Sequence, residues 1–210
     1  MDLMLGFFLS VGLAGIGSGI AAVAMWTAFS SELKKIGDDE ERRKMDEELR
    51  PKMLVTMTLP TTTIVFALVI YFMASNKELM TDDFFIALTL NIGVSGFIVS
   101  ISEGYYIRGT MKGVFKYPEH WGKTVASVSL CEFGIIYPLV IAFVSMGKLD
   151  VNSTDLIVPN YIVMGASIGS LIAAGLMQRY ELKDFQKGIL MGIPGIMIIL
   201  IGFFLAYSYL

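Results

Sequence analysis

The sequence predicts an all-α membrane protein of six transmembrane helices, arranged as three repeated helical hairpins. Of its 210 residues, 55% are hydrophobic and 17% charged, and the mean hydropathy is +0.67. The apolar residues collect in six windows of at least 22 residues, and about 20 are enough for a helix to cross the hydrocarbon core. The windows are solidly apolar rather than alternating, which excludes a closed barrel, the other backbone arrangement that a bilayer accepts. Composition excludes further classes. With 16 Lys+Arg against 19 Asp+Glu and a net charge of −3, the chain lacks the positive excess of a phosphate-neutralising nucleic-acid binder. One cysteine, Cys131, excludes a disulfide framework and a cysteine zinc site, and one histidine, His120, excludes a histidine metal cluster.

In chain order the spans are Leu3–Phe29, Met53–Asn76, Phe84–Ile107, Thr124–Gly147, Leu156–Gln178 and Gly188–Leu210. Four hold no charged residue, and the third and fourth hold one acid each and no base. The first is expected to remain as a span and not to be cleaved as a signal peptide, because its apolar run is long and no basic residue precedes it. The next loop, Ser31–Lys52, carries Asp38/Arg42, Asp39/Arg43, Glu40/Lys44 and Glu48/Lys52, all i,i+4 with the acid first. That order favours helix, so spans 1 and 2 are expected to extend into the loop, with the break near Pro51. In loop Val114–Gly122, Phe115, Tyr117 and Trp121 suit a headgroup-level anchor, with His120 exposed beside them. Asn152-Ser153-Thr154 is a glycosylation sequon.

Loops 1, 3 and 5 hold 14 of the 16 bases, and only Lys77 and Lys148 lie elsewhere. The positive-inside bias therefore puts those three loops in the cytoplasm and both termini on the non-cytoplasmic side. The hairpins divide as 1–76, 77–148 and 149–210.

The hairpins resemble one another. LPTTTIVFALVIYF at Leu59–Phe72 and LCEFGIIYPLVIAF at Leu130–Phe143 share 6 of 14 positions, and Pro194 of the third hairpin aligns with Pro60. Ile16–Ala22 (IGSGIAA) matches Ile168–Ala174 (IGSLIAA), and Ser95-Gly96 aligns with Ser18-Gly19. A register shared by three units marks an internal repeat. Glycines concentrate in the odd spans, where Gly15-x-x-x-Gly19 and Gly165-x-x-x-Gly169 allow close backbone approach. Small-residue odd helices backed by bulky even ones would form a two-layered wall.

Glu103 and Glu132 are the two acids inside spans. An ionised acid at the bilayer centre costs about 2.5–3.5 kcal/mol on insertion scales, so each is expected to be protonated, paired or holding a cation. Glu132 lies about 13 Å in from Lys123 at helical rise, Thr62 at a similar depth, and Glu103 somewhat shallower. A purely structural, protonated glutamate is the competing reading for both.

The glycine- and serine-rich helix, the short basic turn and then LPTTTIVFALVI or CEFGIIYPLVIAF resemble the proteolipid (subunit c, or K) family of V-type and archaeal A-type rotary ATPases. The resemblance covers nearly the whole chain and is most specific from Glu132 to Phe143. It implies a rotor ring of copies of this chain or other proteolipids. It also implies a stator membrane subunit that supplies an arginine, and a central-stalk subunit docking on the cytoplasmic loops. The long loop 31–52 reads either as that docking surface or as a solvated extension. The implied carrier of H+ or Na+ is Glu132, with Thr62, Thr63, the Leu59 carbonyl beside Pro60 and Glu103 as further ligands. Glu103 and Gln178 stand where the family has glutamine, and Trp26 fills that column in hairpin 1. The carrier position is Thr61 in hairpin 1 and Gly195 in hairpin 3, so one hairpin of three carries the acid. Two close carboxyls can share one proton, or hold Na+ with one of them protonated. No phosphate-binding loop is present, so no catalysis of its own and no resident cofactor are expected. The rival readings are a small secondary transporter or channel with a Glu103/Glu132 proton relay, and a structural subunit of another membrane complex.

Overall fold

The computed structural model describes residues 2–77, 80–148, 155–180 and 184–210. Among them, six helices are long and apolar enough to cross a membrane, and no strand is present. They are α1 (Leu3–Lys34), α2 (Asp39–Ser75), α3 (Asp82–Lys116), α4 (Pro118–Gly147), α5 (Ile157–Met177) and α6 (Phe185–Ser208). Each predicted span falls on one helix. The sequon Asn152-Ser153-Thr154 and Lys183 of the last basic loop lie outside the described residues.

Local chemistry sets the helix starts. The Asp2 carboxylate accepts the Leu5 N–H at 3.0 Å, and Thr81 caps α3 ahead of Asp82 and Asp83. Asp38 accepts the Glu41 N–H at 2.8 Å and is followed by three more acids in the first turn of α2, where the helix dipole favours negative charge. That cap redistributes the predicted ion pairs. Glu40–Lys44 (2.8 Å) and Glu48–Lys52 (2.9 Å) form as expected. Arg42, however, turns to Asp39 and Arg43 to Glu47 (3.6 Å), while Asp46 takes Arg50 in a bidentate pair. The expected break at Pro51 is not there, because α2 runs on through it to Thr56. His120 is half-buried, not exposed, with its ring 5.5 Å from that of Tyr117.

The helices pack in two layers. In one, α3 lies between α1 and α5; in the other, α4 lies between α2 and α6. Each helix of the second layer sits on the first: α2 on α1 and α3, α4 on α3 and α5, α6 on α5. Small residues make the first layer tight. A Cβ at Gly17 would stand 2.8 Å from the Phe97 Cα, one at Gly104 would stand 2.7 Å from the Ala21 Cα, and one at Gly93 would overlap the Leu9 carbonyl. The predicted glycine pairs divide differently. Gly15, Gly19 and Gly165 face open space, and only Gly169 is packed, against Gly195. The same tightness buries α3, whose polar Asn91 reaches Asn160 of α5 at 2.9 Å, while Asn160 in turn donates to Ser145 of α4 at 3.2 Å. An unmade polar group in hydrocarbon is costly, so this chain ties the first layer to the second.

Gly104→Val should lower the thermal stability of the detergent-solubilised chain by about 1–3 kcal/mol, because the backbone of α1 has to move. Gly15→Val, on the open face of α1, should leave the midpoint unchanged. Equal effects of the two in a thermal melt would contradict this packing.

Candidate functional site

Two helices of the second layer are interrupted at mid-bundle. In α2 the helical ladder tightens to i,i+3 bonds around Leu59–Thr61, with Thr61 N–H donating to Thr58 O at 3.0 Å. Pro60 has no N–H to offer, which breaks the ladder there. In α4 the same tightening occurs at Leu130–Glu132, where Cys131 N–H donates to Val128 O at 2.8 Å. The two interruptions fall at aligned positions of the first and second hairpins. α6 runs through Pro194 without one.

Serines of the first layer serve the carbonyls exposed at these breaks. Pro60 O accepts the Ser18 hydroxyl at 2.5 Å and the Ser100 hydroxyl at 3.2 Å; Thr63 donates to it as well at 2.8 Å. Cys131 O accepts the Ser170 hydroxyl at 2.7 Å. Ser18 and Ser170 are the aligned serines of α1 and α5, and Pro60 and Cys131 are aligned in α2 and α4. In α3 the residue beside Ser18 is Ser100, 3.3 Å away, and not Ser95, which aligns with Ser18 in sequence. Ser95 lies more than a turn away and faces Asn91. Gly104, the neighbour of Glu103, packs on Ala21, not near Trp26, and Gln178 lies against Gly109.

Helix α3 continues to Lys116, two turns past Arg108. Glu103 lies 14 residues before the turn at Tyr117 and Glu132 lies 15 after it. Both are therefore about 20 Å from that turn along their helices, and they come level.

The two acids have different surroundings. Glu103 is 0% exposed, and neither carboxyl oxygen has a hydrogen-bond partner among the described residues. Tyr106, Ile107, Cys131 and Ala174 belong to the apolar cluster around it. Glu132 is half-buried at the α4 interruption. A bare buried carboxylate is too costly to persist, so Glu103 must carry a proton, share one or hold a cation.

The predicted α2 ligands are occupied locally. The Thr62 hydroxyl donates to Leu59 O at 2.8 Å, and the Thr62 N–H donates to the same carbonyl. Thr63 is fully buried between α1 and α3, 3.0 Å from Ser100. Thr61, aligned with Glu132, is exposed, and its hydroxyl donates to Thr58 O at 2.5 Å. Gly195, the third aligned position, is sealed. A Cβ there would stand 2.5 Å from the Ala173 nitrogen and would also meet the Gly169 carbonyl. Helix α6 is too close to α5 for any side chain, let alone an acid.

The serine clasp at Ser18, Ser100 and Ser170 was not among the predicted site residues. Its signal was present in the IGS match of α1 and α5, and Ser95-Gly96 masked it in α3. Asn91 and Asn160 were also passed over. As uncharged amides inside apolar windows, they carried the same cue as the acids.

Compared with protein-family models, with curated proteins and with solved structures, the chain matches none.

A hydrophobic carbodiimide should label Glu132 and spare Glu103, since the reagent must reach its carboxyl from the apolar side. Peptide mass mapping would find the adduct lost in Glu132→Gln and retained in Glu103→Gln. The opposite pattern would mean that Glu103 is the accessible acid.

Proposed function

We propose that the chain is an ion-carrying rotor proteolipid of a V- or A-type rotary ATPase, translocating H+ or Na+ by reversible binding at Glu132. The observation that carries the reading is the half-buried Glu132 at a helix interruption in the second layer, level with a buried Glu103 that has no hydrogen-bond partner among the described residues. Several copies, with or without other proteolipids, would close into a ring with α1, α3 and α5 inside and α2, α4 and α6 outside. Glu132 would then travel along the outer wall. Neutral, it crosses the lipid-facing arc; beside a stator arginine its ion is released and the carboxylate pairs with the guanidinium. Nucleotide chemistry would belong to other subunits, reached through a stalk at the basic loops, which would face the cytoplasm.

The local bonds of α2 favour the proton. Leu59 O already accepts two hydrogen bonds from Thr62, and Thr63 faces α1 and α3. Na+ would have to displace these bonds to gain ligands, whereas a proton carried on Glu132 needs none of them.

A second reading is a proton relay inside the single chain. The buried line Ser95–Asn91–Asn160–Ser145 favours it, since it continues from α3 away from the basic end. The two readings differ in what the isolated chain does. Purified and sealed into vesicles, a relay conducts protons by itself, while a rotor proteolipid stays tight without its stator.

Glu132→Gln should abolish ion transport by the assembled complex and leave ring size unchanged in negative-stain images, since the amide matches the protonated acid in shape. A mutant complex that still pumps would sink the assignment. Thr61→Glu should assemble and acquire a second carbodiimide-reactive acid, while Gly195→Glu should fail to accumulate as folded protein.

A further inference from the structure

At the basic end of the bundle, α3 and α5 diverge around a cavity of about 280 Å³. Lys112, Lys116 and Tyr117 line it from α3 and the residue after it, and Gln178, Arg179 and Tyr180 line it from the end of α5. Gly109 lets the helices meet at the floor, where the Gln178 side chain occupies the space a Cβ would fill.

The electrostatics of this cavity are unbalanced. Lys112 and Lys116 sit i,i+4 on one helical face, a spacing at which like charges repel. Arg179 adds a third cation from the turn that follows α5. None of the three pairs with a carboxylate among the described residues. Lys116 rests over the Tyr117 ring, 5.1 Å from its centre. Bases converging on a pocket between spanning helices select a phosphate group.

What lies deeper indicates the source of that phosphate. Tyr105 is seven residues before Lys112 on the same face of α3, and its ring lies beside Gly175 of α5, the helix that also carries Ile168 and Ile172. Tyr105 is 45% exposed, Ile172 37% and Ile168 42%. An apolar trough thus runs from the basic cavity toward the middle of the bundle. We propose that this cavity and trough form a site for one anionic phospholipid, its phosphate held by Lys112, Lys116 and Arg179 and an acyl chain along Tyr105, Ile172 and Ile168. The site is separate from the carboxylates and does not rest on the rotary reading.

The test is native mass spectrometry of the delipidated full-length chain, offered phosphatidylglycerol or phosphatidylcholine, with inorganic phosphate as competitor. Phosphatidylglycerol should be retained at one copy per chain in preference to phosphatidylcholine. At about fivefold per cation, Lys112→Gln/Lys116→Gln/Arg179→Gln should weaken retention roughly a hundredfold. The charge-keeping Lys112→Arg/Lys116→Arg/Arg179→Lys should retain the lipid, and so should Arg43→Gln/Lys44→Gln in the exposed loop. Ile172→Ser should weaken the lipid without changing the competition by phosphate. Equal retention of the two lipids, or full retention in the triple Gln variant, overturns the site. Displacement of the lipid by equimolar inorganic phosphate overturns the lipid assignment and leaves a site for free phosphate.

Discussion

The structure depends on a rule of the hydrocarbon phase: a backbone carbonyl released from its helix must find a donor inside the protein. Interrupting α2 and α4 at mid-bundle tightens the ladder to i,i+3 bonds, as where Gly134 N–H reaches Cys131 O at 3.1 Å, and leaves carbonyls open to further donors. Ser18 and Ser100 serve Pro60, and Ser170 serves Cys131. These bonds pin the second layer to the first at one depth. They set the register of α3 between α1 and α5, and with it the height of Glu103. The small residues of the first layer make the clasp possible, because a serine hydroxyl reaches a neighbouring backbone only where the helices nearly touch.

Within that frame, two acids with the same chemistry acquire different environments. Glu103 lies on the most buried of the six described spanning helices, its carboxyl without a hydrogen-bond partner among the described residues. Glu132 lies one layer out, at the end of a short non-helical step that leaves it half-buried. An acid at such a border can change its state when its surroundings change, whereas the enclosed one can respond only through its neighbour. In this proposal the pair works as a unit, with Glu132 as the exchanging member. The third hairpin shows the opposite choice. Contact of Gly195 with Gly169 and Ala173 brings α6 so close to α5 that no titratable group fits. Tight packing and ion chemistry exclude each other at that level.

The basic end serves other demands. There the helices part and the dipole-compatible bases at the ends of α1 and α3 collect. Most loop acids are matched along α2, but the cations between α3 and α5 are not. That imbalance makes the α3–α5 cavity a place for an external anion.

Much of this was legible in the sequence. Six charge-free or nearly charge-free windows can only be helices in a bilayer, and each is one. Glu103 and Glu132 were conspicuous because charge inside a span is costly. The alignment of Leu59–Phe72 with Leu130–Phe143 put Pro60 and Cys131 at matching positions, but only the structure shows a break at both. What the sequence could not supply was relative height. Apolar helices align with similar scores at several shifts, so the alignment that pairs Ser95 with Ser18 does not reveal that Ser100 is the serine beside it. Pro51 and Pro194 look alike on paper to Pro60, yet α2 and α6 run through the first two. At Pro60 the break coincides with hydroxyls of α1 and α3 that donate to its carbonyl; composition determines the donors, while tertiary packing alone decides which of them arrive.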